Sequence, residues 1–164
     1  MKKKVKIIVG LKEWGKTFCL KKTIGFDVKK RLITKRNNNF RTIFIEKLDK
    51  WVFVLNHSNC DIGLEKYLKD VKKILNQLKE SKEVDTALIT FCSQNKREVI
   101  EILKVLKEFD LSYEVVWLEN HWDDVAKLNI DELEKLFQKY IKFEDITKKY
   151  SIKSSNDCKE NIVV

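Results

Sequence analysis

The sequence contains no proline, only four arginines and no apolar run long enough to span a membrane. A transmembrane helix needs about 20 mostly apolar residues, whereas the apolar run nearest the N-terminus covers only residues 5–9. That run is also too short for the apolar core of a secretory signal sequence. We therefore expect a cytoplasmic protein with no membrane partner. Its 164 residues, 43% of them hydrophobic, suffice for the core of one domain.

Close cysteine pairs are absent too. The four cysteines are Cys19, Cys60, Cys92 and Cys158. This wide spacing is typical of reduced thiols and not of a disulfide framework. A Cys/His metal site of His57, Cys60, Cys92 and His121 is the less favoured alternative, because zinc sites usually contain a close ligand pair and His57-x-x-Cys60 is the only one present.

The charge balance is strongly basic, with a formal net charge of +9 at pH 7. A basic surface can bind nucleic acid by releasing counterions from the phosphate backbone. Arginine is the residue suited to bidentate contacts with bases and phosphates, but all except four of the 34 basic residues are lysines scattered along the chain. This composition favours a solvated surface, with non-specific nucleic-acid contact as the alternative, over sequence-specific readout.

A loop with glycine at both ends follows the first apolar run, which we predict to be a buried strand. Gly10 and Gly15 allow successive backbone N–H groups to turn inward around an anion. Lys16 would then reach the outer phosphates of a nucleotide, and the Thr17 hydroxyl would coordinate Mg²⁺. The next residues fit a short helix whose positive N-terminal end points at the same anion.

Together, this strand, loop and helix resemble the Walker A motif, G-x-x-x-x-G-K-[ST], of the P-loop NTPase superfamily. The resemblance implies a nucleoside triphosphate, ATP or GTP, as ligand and Mg²⁺ as cofactor. It also implies that the nucleotide is held by Gly10, Leu11, Lys12, Glu13, Trp14, Gly15, Lys16, Thr17 and Phe18. Trp14 stands where the family usually has a small residue, so the loop would present an aromatic face to a base, a partner or its own lid.

The rest of the chain alternates β-forming runs with amphipathic segments. Two β-rich runs separated by Asp49-Lys50 predict a β-hairpin. The spacing of apolar residues further predicts helices over 64–78, 98–109 and 130–141, and buried strands over 86–92 and 113–118. Such alternation is the signature of parallel βαβ units. We expect a three-layer α/β/α, P-loop NTPase-like domain over 1–150 with a mainly parallel central sheet and a hairpin after the first helix, followed by a flexible tail over 151–164.

Two acidic residues at predicted strand ends compete for the Mg²⁺ role that the family gives to the Walker B acid. Glu119 directly follows the apolar run 115–118, and Asp61 follows the run 52–55 after a short loop. Each has an alternative role, because Asp61 could cap the helix over 64–78 and Glu119 could simply face solvent. The sequence leaves the choice open.

The tetrad Asn95-Lys96-Arg97-Glu98 is loosely similar to the guanine-reading N-K-x-D of small GTPases. It also opens a predicted helix, where Asn95 as N-cap and Glu98 three residues later form a pair like a capping box. We favour the cap. Arg97 is interpreted as an ordinary surface arginine, with a contact to transferred phosphate as the alternative.

From the resemblance we favour a Mg²⁺-dependent ATPase that couples hydrolysis to a protein partner or a nucleic-acid transaction. Lys16 and either Glu119 or Asp61 would be its catalytic residues. The first alternative is a small-molecule or nucleotide kinase, which the scarcity of arginine after Arg41 disfavours. The second is a non-hydrolysing regulatory module or a GTPase, and the lack of a clean Walker B acid favours the non-hydrolysing form.

Overall fold

The computed structural model describes residues 3–12, 16, 20, 34–37, 40–45, 49–118, 128–141 and 148–150. Within these ranges, one seven-stranded sheet forms the centre of the molecule. Its strands are β1 (Lys4–Gly10), β2 (Thr34–Asn37), β3 (Phe40–Ile45), β4 (Lys50–Leu55), β5 (Thr86–Cys92), β6 (Ser112–Leu118) and β7 (Lys148–Tyr150). The spatial order is β2-β3-β4-β5-β1-β6-β7, so β1 lies between β5 and β6.

Five neighbouring strands pair in parallel, in the spatial order β4, β5, β1, β6 and β7. Val9 of β1 lies opposite Phe91 of β5 on one side and Trp117 of β6 on the other. Every residue of β5 is buried, and so are all but the first residues of β1 and β6. Near-continuous apolar strands are expected where both faces of a sheet are covered. The predicted α/β fold class with a mainly parallel sheet is confirmed.

An antiparallel extension completes the sheet on the β4 side. Strand β3 pairs antiparallel with both β2 and β4. The predicted hairpin is therefore confirmed, although Lys50, which we expected in its turn, belongs to β4 and pairs with Ile45 of β3. Asp49 has a positive φ of 49°, a conformation that aspartate tolerates better than most residues.

The described helices are α1 (Asn59–Ile62), α2 (Leu64–Glu80), α3 (Lys96–Lys107) and α4 (Ile130–Gln138). Two of them pack on the sheet face that carries Tyr113 and Trp117. The Tyr113 hydroxyl donates a 2.7 Å hydrogen bond to the carbonyl of Leu106 in α3, and the Trp117 ring centroid lies 4.9 Å from that of Phe137 in α4. The three helices that we predicted along the described chain are confirmed, with small changes at their ends.

The opposite sheet face carries Gly10 and Lys16. Gly10 alternates with Val9 along β1, and an added Cβ at Gly10 would lie 3.4 Å from Cγ of Lys16. Lys16 is helical, so helical residues are present on both faces, as a three-layer arrangement requires.

A buried ion pair lies on this second face. Lys6 and Glu114 are register partners in β1 and β6, and their side chains meet at 3.3 Å with 3% and 8% exposure. Lys4 also contacts Glu114, at 2.5 Å. Burial alone would raise the pKa of the Glu114 carboxyl, but its contacts with Lys4 and Lys6 outweigh burial and hold that pKa below its ordinary value.

No helix in the described ranges is long and apolar enough to cross a bilayer. The predicted tail over 151–164 lies outside the described residues, so the domain limits stay a prediction.

Candidate functional site

Gly10 is the last residue of β1, the middle one of the five parallel strands, and lies at the carboxyl edge of the parallel sheet. Its carbonyl accepts a 3.1 Å hydrogen bond from the N–H of Ser93, which follows β5. A Cβ built on Gly10 would lie 3.3 Å from Cβ of Leu118 and 3.4 Å from Cγ of Lys16. The distance to Lys16 is an ordinary contact and the distance to Leu118 is tight, so the missing side chain mainly makes room for Leu118.

Lys16 is a buried cation, with 6% exposure. Its Nζ donates a 2.5 Å hydrogen bond to the carbonyl oxygen of Leu11, five residues earlier in the same loop. Burial lowers the pKa of the ammonium group to about 8, and the Asp61 carboxylate acts in the opposite direction. None of the ion pairs among the described residues includes Lys16. A buried cation whose partner in the described part of the chain is a neutral carbonyl is a favourable place for an anion.

Asp61 lies in α1, where it completes a capping box. Its Oδ2 accepts hydrogen bonds from the backbone N–H and the hydroxyl of Ser58, at 2.8 and 2.9 Å. The N-cap of α2 is Gly63, so the alternative in which Asp61 caps the helix over 64–78 is wrong. Asp61 instead caps α1 and, at the same time, is the carboxylate whose charge acts on Lys16.

Asn59 joins α1 to the end of β5. The Cys92 N–H donates to Oδ1 of Asn59 at 2.9 Å, and Nδ2 of Asn59 donates to the Cys92 carbonyl at 3.2 Å. The same Nδ2 donates to Oε2 of Glu98 at 2.7 Å. Because Asn59 is only 2% exposed, these bonds are shielded from water and fix α1 beside the end of β5.

A disulfide between Cys60 and Cys92 makes the same connection covalently. The prediction that all the cysteines are reduced thiols is therefore wrong for this pair. The alternative Cys/His metal site is wrong as well, since both sulfurs are bonded to each other. In the ranges that the structure describes, no three metal-ligating side chains come together.

Asn95 is the N-cap of α3, as predicted, but the predicted return bond from the Glu98 side chain is not formed among the described residues. Oδ1 of Asn95 accepts from the N–H groups of Arg97 and Glu98, at 3.0 and 3.4 Å. The Glu98 carboxylate, however, bonds Asn59. Arg97 is exposed. The sequence offered no direct signal for the Asn59–Glu98 bond beyond the occurrence of both polar residues in segments that follow neighbouring strands.

Two buried polar atoms among the described residues have no hydrogen-bond partner, Oγ of Ser93 and Nε1 of Trp117. Trp117 lies in β6 and Ser93 directly follows β5, the two strands that flank β1. Ser93 is 9% exposed and follows β5 beside Gly10. A buried hydroxyl without a partner carries a free-energy cost, which a ligand at this edge could relieve.

Part of the predicted site lies outside the described residues. Gly10, Leu11, Lys12, Lys16 and Asp61 are described. The residues outside are Glu13, Trp14, Gly15, Thr17, Phe18, Glu119 and His121. Of the two competing acids, only Asp61 can therefore be related to Lys16.

The chain matches no family model and no curated protein sequence. Among solved structures it is similar to a de novo designed protein described as having a P-loop NTPase fold, determined by solution NMR. The two share 14% identity and a TM-score of 0.45, over 96% of this chain and 85% of that one. This likeness is weak and concerns the fold alone, so the function must be inferred from the site itself.

Proposed function

We propose that this chain binds a Mg²⁺-nucleoside triphosphate at the carboxyl edge of its sheet and hydrolyses it, with ATP as the favoured nucleotide. The observation that carries the proposal is the burial of Lys16 over the carboxyl end of β1. Its ammonium group is bonded to the carbonyl of Leu11, and it has no carboxylate in an ion pair among the residues that the structure describes. A phosphate that replaced this carbonyl would give the buried charge a compensating partner.

Two further features fit a phosphate group at this place. Gly10 has no side chain on the face where Lys16 packs, and a Cβ there would crowd Leu118, at 3.3 Å, more than Lys16, at 3.4 Å. The Ser93 hydroxyl is buried beside Gly10, has no partner among the described residues and can donate to a phosphate oxygen. The carboxyl edge of a parallel sheet is also where ligands of α/β proteins commonly bind.

The proposed roles follow from these positions. Lys16 would hold the outer phosphate oxygens, and Thr17 would be a ligand of Mg²⁺, which when bound neutralises phosphate charge. Asp61 would bind the hydrated Mg²⁺ or orient the attacking water. Its Oδ2 is occupied by Ser58, so Asp61 would act through its other oxygen, and Glu119 stays the competing acid.

Binding without turnover is the second candidate. Strand β4 ends at Leu55 and is followed by Asn56, so no acid directly follows this strand. The acid nearest to it in sequence, Asp61, already serves as a helix cap. A chain with these features could hold a nucleotide as a regulatory signal, whichever base it prefers. A kinase has no comparable observation in its favour.

The partner of a coupled ATPase stays open between protein and nucleic acid. Lysines on the exposed side of α2 offer a basic surface, but acidic neighbours offset part of it. Lys69 pairs with Glu65 at 3.1 Å and Lys72 pairs with Glu108 at 3.3 Å. Any nucleic-acid contact through this surface would therefore be non-specific and sensitive to salt.

Isothermal titration calorimetry with Mg·ATP and Mg·GTP tests the proposal, with phosphate release measured on whichever nucleotide binds. Lys16→Ala should abolish binding while the fold is retained. Lys69→Ala, an exposed lysine on α2, is the matched control and should bind like the unmodified chain. Equal affinity in the chain and in Lys16→Ala would exclude the phosphate site. Binding with no phosphate release would favour the regulatory module.

A further inference from the structure

The Cys60–Cys92 disulfide ends one strand away from the start of the phosphate loop. Cys92 is the last residue of β5 and the register partner of Gly10. The next residue, Ser93, donates its N–H to the Gly10 carbonyl. The covalent link therefore terminates on backbone that is hydrogen bonded to the first glycine of the loop.

The other end of the disulfide lies in α1, next to the acid of the proposed site. Cys60 directly precedes Asp61, and α1 is only a single turn, Asn59–Ile62. Because the Cα atoms of the two cysteines are 6.0 Å apart, the link restricts how far this turn can move from β5. It thereby restricts the position of the Asp61 carboxylate relative to Lys16.

We propose that the Cys60–Cys92 disulfide is a redox control of the nucleotide site, which keeps α1 in place for Mg²⁺-nucleotide binding when formed and releases it when reduced. This inference rests on the proposed function. The ligand class is the same Mg²⁺-nucleoside triphosphate, and the regulator is a dithiol reductant.

The accessibility of the two cysteines sets the course of reduction. Cys60 is half-buried and Cys92 has no exposed surface, so a thiolate of the reductant would attack Sγ of Cys60. The Sγ–Sγ bond breaks, the reductant and Cys60 form a mixed disulfide, and Cys92 leaves as a thiolate and takes up a proton. The second thiol of the reductant then attacks the reductant's other sulfur, which is bonded to Cys60 in the mixed disulfide, and this frees the Cys60 thiol. The reductant leaves as a cyclic disulfide, having supplied two electrons and two protons.

Reduction should loosen α1 without unfolding the protein. Asn59 would still hold the turn through its hydrogen bonds to both backbone groups of Cys92 and to Glu98. These bonds can open and close, whereas the disulfide cannot. The reduced chain would therefore sample positions of Asp61 farther from Lys16.

The charges of Asp61 and Lys16 predict an effect that depends on Mg²⁺. With Mg²⁺ present, loss of a fixed Asp61 should weaken nucleotide binding by about fivefold to tenfold, the lower part of the range for coupling between sites. Without Mg²⁺, Asp61 repels the phosphates, so reduction should leave affinity unchanged or slightly raise it. A general loosening of the loop would weaken binding in both conditions.

The experiment compares the oxidised and the reduced full-length chain by calorimetry, with ATP plus Mg²⁺ and with ATP plus EDTA. Cys60→Ser mimics the reduced state, and Cys158→Ser, which keeps the disulfide, is the matched control. Circular dichroism checks that each form is folded, and the reduced unmodified chain alone decides the test if Cys60→Ser does not fold. A loss of affinity for Mg·ATP, but not for ATP with EDTA, supports the redox control if it occurs in the reduced chain and in Cys60→Ser and does not occur in Cys158→Ser.

Two other outcomes overturn it in distinguishable ways. Binding that requires Lys16 but is equal in both redox states would exclude the redox control and leave the proposed function intact. Absence of binding in both states, with Lys16→Ala indistinguishable from the unmodified chain, would remove the proposed function and the control together. A reciprocal readout is available, because saturating Mg·ATP should shift the thiol–disulfide equilibrium in glutathione buffers toward the disulfide by the same factor.

Discussion

The ammonium group of Lys16 is hydrogen bonded to the carbonyl of Leu11, so this buried cation is held by the backbone that directly follows β1. Burial lowers the pKa of Lys16 to about 8, below its ordinary value of 10.5. Keeping Lys16 charged in the folded, ligand-free protein therefore lowers the free energy of unfolding. The lowered pKa of Lys16 is the basis of the first two predictions.

Lys16→Met should make the ligand-free protein more stable at pH 7, by roughly 2–3 kcal/mol of unfolding free energy. Between pH 8 and 10.5 the unfolded chain binds more protons at Lys16 than the folded chain does. The free energy of unfolding of the unmodified protein should therefore rise with pH across this window, and the advantage of the variant should shrink. Urea unfolding at pH 7 and pH 10 measures both, with Lys69→Met as control. A variant less stable than the unmodified protein at pH 7 would contradict the assignment.

Affinity for Mg·ATP should fall as pH rises above about 8, because neutral Lys16 offers the phosphates no charge. In Asp61→Asn the fall should begin at lower pH, since the Asp61 carboxylate raises the pKa of Lys16. Calorimetry from pH 6.5 to 9.5 on both proteins measures this shift. Coincident pH profiles would show that Asp61 does not change the pKa of Lys16.

Asn59→Ala should lower the free energy of unfolding by roughly 2–3 kcal/mol, because it leaves the buried Cys92 N–H without its partner. The exposed Asn76 in α2 provides the matched control, Asn76→Ala, which should change stability little. Chemical denaturation of the oxidised proteins makes the comparison. Similar losses in the two variants would mean that the buried bonds contribute no more than helix composition does.

Glu114→Gln should cost roughly 3 kcal/mol at neutral pH, because it removes the carboxylate from Lys6 at the centre of the sheet. The pKa of Glu114 is lowered in the folded state, so its contribution is complete above the ordinary value of 4.5 and is lost as pH falls through the folded value. The variant should therefore lose less stability than the unmodified protein on acidification below pH 4.5. Thermal unfolding from pH 7 to pH 3 tests this, with the exposed Glu65→Gln as control.

The elements that position the site were predictable because they depend on local periodicity. The continuous apolar run 86–92 became β5 with unchanged ends, and the stripe over 64–78 became most of α2. Asn95 was recognisable as a cap for the same reason, since its partners are two and three residues away.

The contacts that assemble the site could not be predicted, because they join residues distant in sequence. Cys60 and Cys92 are separated by 32 positions, and only the parallel pairing of β4 with β5 brings their segments together. Asn59 shows the same limit, since its three hydrogen bonds join it to two residues on other segments, Cys92 and Glu98. For Asp61 the Mg²⁺ role stays a prediction and the cap of the helix over 64–78 is wrong, because its side chain instead completes the capping box of α1 and raises the pKa of Lys16.

The position of β1 in the sheet determines when the residues around Gly10 can come together during synthesis. Both neighbours of β1 come from far along the chain, residues 86–92 and 112–118. Strand β1 therefore has no partner on its β6 side until residue 118 has emerged from the ribosome. Pairing across such distances is slow, because the chain must close large loops before it gains contacts. The carboxyl end of β1 thus waits for both of its neighbouring strands, and the nucleotide site that we propose would be complete only after residues 112–118 exist.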